Sequence, residues 1–131
     1  MYDSELNKPL WQIALQNASI REQWENELGD YMRKNYLSKD LYSNNLRHQY
    51  AAAITARNLG ADKARFLGNM QEIVNSSGGD KLDGRIDKIN NEIGIQYGLN
   101  NPTMPKNQLF DLLVKDHTKN LNYRNQQLAG E

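Results

Sequence analysis

Apolar residues recur at three- and four-residue spacing along nearly the whole chain, and this period constrains the fold more than any other feature. Leu82, Ile86, Ile89, Ile93 and Tyr97 give the clearest run, which predicts a helix from about Asp80 or Asp83 to Tyr97. Gly98 then reads as its terminator, with Leu99 as the apolar contact that follows the cap. There is no convincing run of strand-like alternation and no internal repeat. The pattern predicts an all-α fold, a compact bundle of five to six helices.

The other elements follow from the same period and its punctuation. Pro9 suits the first turn of a helix from about Lys8 to Asn17, with Trp11, Leu15 and Ala18 on one side. "SIRE", Ser19 to Glu22, reads as a capping box for a second helix striped by Ile20, Trp24, Leu28 and Tyr31. "LSKDLYSNN" breaks the pattern. A third helix is expected from near Asn44 to Leu59, with Leu46, Tyr50 and Ile54 along one side and Arg57 continuing it. Ala51, Ala52, Ala53 and Ala56 leave its other surfaces small, so a neighbour can pack closely. Gly60 reads as its C′ residue.

Asp62 opens a fourth helix carrying Phe66, Met70, Ile73 and Val74. "NSSGGD" is a turn, and "NNPTMP" a second loop. A sixth helix starts after Thr103 and buries Leu109, Leu112 and Leu113. The chain of 131 residues fits one helical domain, 1–131, with 120–131 as a polar tail expected to fray or act as an attachment arm.

Charge and composition narrow the function. Sixteen basic residues balance sixteen acidic ones, so no global field favours nucleic acid or an anionic membrane. Arg47, Arg57, Lys63 and Arg65 form only a mild basic region, balanced by nearby acids. The absence of Cys excludes disulfides and thiolate metal sites. The start carries acidic residues and no signal-like apolar run, and no stretch approaches the ~20 apolar residues of a membrane span. These features predict a soluble protein, cytoplasmic or virion-associated, with a protein partner and without a cofactor or metal.

One polar set stands out. His48, Ala52 and Thr55 share a face of the third helix, Glu72 sits near the end of the fourth, and Asp87 and Asn91 lie one turn apart on the fifth. Gly94 continues that side and removes side-chain bulk, so a helix or a ligand can approach. Asn90 falls on the edge of the same face. Neutral His exchanges protons near neutral pH, a carboxylate can fix its tautomer, and an amide can orient water or substrate. Candidate catalytic residues are therefore His48, Glu72, Asp87 and Asn91, with Arg47, Asn90 and Gly94 as candidate binding residues. The structural alternative is an interhelical polar network that fixes register. A metal is the weaker reading, because no HExxH is present and a set with one His is not diagnostic. His117 has no sequence feature that places it with them.

The segments "LRHQYAAAITARNLGADKARFLGNMQE" and "IDKINNEIGIQYG" resemble a small helical domain family of bacterial and phage-associated proteins without an established function. The resemblance rests on Arg47 and His48, then Glu72, then Asp87, Asn90, Asn91 and Gly94, and covers roughly residues 44 to 98. It implies that the polar set is shared by the family. The chain departs from the family pattern before Glu72, where Met70 and Gln71 stand and no His precedes the carboxylate. Two functions follow as expectations. One is a non-catalytic protein-binding or structural module in a phage or secretion assembly. The other is a small hydrolase or lytic effector in which His48 acts as general base with Asp87 or Glu72.

Overall fold

A computed structural model describes residues 22–23, 26–31, 33–34, 44–75 and 81–130, apart from the side chains of 44, 70–75 and 81–83. Five helices follow in order: α1 Asn44–Leu59, α2 Ala61–Asn75, α3 Lys81–Asn100, α4 Lys106–Lys115 and α5 His117–Ala129. Helical backbone is also present at 22–23, 26–31 and 33–34. The described residues form a compact all-α bundle without strands. The expected helix from Lys8 to Asn17, the Ser19 cap and Trp24 lie outside the described residues.

α1 has the predicted bounds, and its end has the predicted cause. Gly60 takes φ +90°, and its N–H donates to the Ala56 carbonyl at 2.8 Å. An L-side chain is disfavoured at that dihedral, so glycine closes the helix with an αL turn and lets α2 begin at Ala61. On α2 the inward residues are Ala64 and Leu67, whereas Phe66 is 40% exposed. Phe66 therefore does not join the core.

α3 is longer than its apolar stripe. It continues to Asn100, so Gly98 lies inside the helix and Leu99 is 42% exposed on its surface. The expected Gly98 terminator and Leu99 cap contact are both overturned. Ile95, off the predicted stripe, is fully buried with Ala52, Ala56 and Ala64. Gly98 serves packing instead. A Cβ there would collide with the Ala53 carbonyl oxygen and stand 2.9 Å from Ala53 Cα. At Gly94 it would collide with the Gln49 carbonyl oxygen and stand 2.9 Å from Ala52 Cβ. The Gly94-x-x-x-Gly98 edge thus lets α3 lie directly on the alanine-rich backbone of α1.

The pairings fix helix direction. Asn90 meets Gln49, Gly94 meets Gln49 and Ala52, and Gly98 meets Ala53, so α1 and α3 run parallel. α2 returns between them in sequence: Gly68 faces Asn91, and Ala64 clusters with Ile95. Arg57 anchors the far end of the pair. Its guanidinium donates to the Asn101 carbonyl and, at 2.6 Å, to the Met104 carbonyl, satisfying backbone oxygens after α3.

The second part of the core lies on the other side of α1. Leu46, Tyr50 and Ile54 pack with Leu28 and with Leu109, Phe110 and Leu113 of α4. Phe110 packs perpendicular to Tyr31 and Tyr50 at centroid distances of 5.7 and 6.1 Å. Leu109 and Leu113 are buried as the sequence predicts, and Phe110 joins them, while Leu112 is only partly buried. The polar tail is helical to Ala129, and α5 buries one residue, Asn120.

Candidate functional site

The close α1–α3 approach brings His48 and Asp87 of the predicted polar set to one seam. His48 Nε2 lies 3.3 Å from Asp87 Oδ1, with side-chain exposures of 17% and 18%. The pairing comes from parallel helices that nearly touch: small residues one or two turns further along draw the backbones together. His48 Nδ1 faces the protein interior. Arg47, the residue before it, is half-buried on α1.

Asn90 and Asn91 point in different directions and have different roles. Asn90 is 1% exposed, not at the edge of the polar face as expected. Its Oδ1 accepts from Gln49 Nε2 at 3.1 Å, and its Nδ2 donates to Asn45 Oδ1 at 2.8 Å. Asn45 Oδ1 also accepts from Arg124 Nη1 at 3.1 Å. A file of amides therefore runs from the buried Gln49 through α3 to the N-terminal end of α1 and on to α5. Each buried amide needs its partners because unpaired polar atoms are costly to desolvate.

Asn91 faces α2. A Cβ added at Gly68 would stand 2.8 Å from Asn91 Nδ2, so Gly68 provides the space for this carboxamide. Asn91 Oδ1 is buried and has no hydrogen-bond partner among the described residues. Glu72 lies on the last part of α2, and its side chain is outside the described residues. Gly94 touches α1 rather than an open space, so its candidate role as a ligand contact is replaced by helix packing. Thr55 Oγ1 donates back to the Ala51 carbonyl at 2.8 Å and is buried, so its hydroxyl is engaged within α1. His117 opens α5, and among the described residues no group of three His, Asp or Glu side chains is placed to hold a metal ion.

A second polar junction, not anticipated from sequence, joins α3 to α5. Tyr97 Oη donates to Asp116 Oδ2 at 2.6 Å, and Asn120 Nδ2 donates to Tyr97 Oη at 3.3 Å. Burial, followed by the hydrogen bond to Asp116, pushes the Tyr97 hydroxyl up to about 12. The helical stripe made Tyr97 a core residue, and the weak apolar period of the tail gave no reason to place Asp116 and Asn120 beside it.

No family model matches the chain, no curated protein matches it, and no solved structure matches it. The site must therefore be judged by its own geometry. A catalytic imidazole needs one nitrogen held by its orienting carboxylate and the other open to the reacting group. Here Nε2 meets Asp87, and Nδ1 is turned inward. That arrangement joins α1 to α3 through Nε2 and leaves Nδ1 buried.

Proposed function

We infer that the chain is a non-catalytic protein-binding or structural module. The observation that carries this reading is the orientation of His48: Nε2 lies against Asp87 and Nδ1 points into the protein. Asn90 and Gly94 support it, since both are engaged in joining α1 to α3. Exposed apolar anchors for a partner are Phe66 on α2 and Leu99 on α3, at 40% and 42% exposure. The resemblance of the polar set to that of bacterial and phage-associated domains favours a place in a phage or secretion assembly.

The alternative is a small hydrolase or lytic effector that uses His48 with Asp87. Its specific support is the 3.3 Å approach of the two side chains and their residual exposure. One experiment separates the readings. Wild type, His48→Ala, and a Phe66→Ser/Leu99→Ser double variant are compared for folding by circular dichroism. They are then assayed for retention of a common partner in the native host and for turnover of ester and glycan substrates. The binding reading expects a partner lost only in the surface variant and no turnover. Turnover that vanishes in a normally folded His48→Ala protein would establish the enzyme reading instead.

A further inference from the structure

A cleft of about 610 Å³ opens between the C-terminal half of α3 and α5, on a different face of α3 from the His48–Asp87 pair. Its volume lies within the roughly 300–1,000 Å³ range of small-ligand pockets. Four carboxamides line it, those of Gln96, Asn100, Asn101 and Asn120. Tyr97 and Tyr123 contribute aromatic rings, and Tyr123 is 46% exposed.

The lining charge is close to balanced. Glu92 is ion-paired with Arg65 at 2.6 Å, which leaves one anion, Asp116, and one cation, Lys119. A phosphorylated ligand would call for an excess of cations, and no such excess lines this cleft. A lipid chain would call for a wall free of fixed polar groups, whereas four carboxamides, Asp116 and Lys119 stand among the lining residues here. A carboxamide carries both a donor and an acceptor, the same pairing that a hydroxyl-rich ligand presents; Asn101 Nδ2 and Asn120 Nδ2 already donate to Tyr97, which leaves Gln96 and Asn100 to turn both groups to a ligand. An exposed tyrosine ring adds an apolar face for stacking, with its hydroxyl as a polar end. Neutral, rich in hydroxyls, and flat on one side describes a sugar ring.

The floor of the cleft is already rigid. Asn120 is 6% exposed and held beside the Tyr97 hydroxyl, which is itself fixed on Asp116. Polar groups locked in place before binding lose little freedom when a ligand arrives. We propose that the α3–α5 cleft binds a short neutral saccharide, stacked on Tyr123 and hydrogen-bonded by Gln96 and the neighbouring carboxamides. Neither Phe66 nor Leu99 lines this cleft.

The test titrates the full chain with chitotriose, cellotriose and maltotriose up to about 10 mM while amide chemical shifts are followed. The expected result is saturable shifts around the cleft with at least one of the three, at a Kd of about millimolar. Tyr123→Ala and Gln96→Ala, both at exposed positions, each weaken that binding about tenfold or more while melting like the wild type. Absence of shifts with all three sugars overturns the proposal. So do shifts that map elsewhere or survive both substitutions. Binding of AMP or a short acidic peptide in the cleft in place of the sugars also overturns it.

Discussion

His48 and Asp87 meet across the α1–α3 seam while both remain partly in contact with water. Solvent screens a pair in that position, so its coupling is modest despite the favourable placement. A double-mutant cycle with His48→Ala and Asp87→Ala, read by urea unfolding, is expected to give a coupling of about 0.5–1 kcal/mol. A value near zero would show that the two side chains are merely neighbours. The spacing of Asp87 and Asn91 announced that a polar face existed, and the structure puts Asp87 beside His48. The same spacing did not separate Asn90 from Asn91. A rotation of about 100° between consecutive helical residues sends one amide into the buried file and the other towards Gly68, and only the position of the neighbouring helices decides which.

At the scale of elements, glycine positions determine how α3 sits. Gly94→Ala gains helix propensity of about 1 kcal/mol in isolation. In the bundle its new methyl meets the backbone of α1, which cannot rotate away as a flexible side chain can. We expect a net loss of about 1–3 kcal/mol in unfolding free energy, measured by denaturant titration. Unchanged or higher stability would mean that the helices separate without cost. Helix existence and most bounds of α1 and α4 were legible because capping, proline and apolar period agree there. Gly98 misled because a glycine after an apolar stripe has the same local signature whether it ends a helix or admits a neighbour. α5 was not legible for a related reason: a helix held by Tyr97, Asp116, Asn120 and Arg124 has little apolar period to detect.

For the molecule as a whole, alkaline pH tests two phenols together, Tyr50 buried and Tyr97 partly buried. Burial, followed by the negative charge of Glu27, pushes Tyr50 up to about 12, and Tyr97 is pushed to a similar value. An unfolded tyrosine ionises near pH 10. The folded state therefore holds protons that the unfolded state releases, and stability is fully present below about pH 10 and declines as pH rises towards 12. Unfolding midpoints measured across that window are expected to fall, and Tyr97→Phe is expected to shallow the decline. An unchanged slope in Tyr97→Phe would remove that hydroxyl from the explanation.

The parallel pairing of α1 and α3 also has a consequence in time. Gln49 and Asn90 are 41 residues apart in the chain, yet their helices pack backbone against backbone. Closing so long a loop must precede any gain from the glycine–alanine seam, and the entropic cost rises with loop length. α2 occupies the intervening chain as a return helix, so once it docks on α1 the remaining search is short. Docking of α2 on α1 is therefore expected to speed the pairing of α1 with α3, although α2 itself takes little part in that seam.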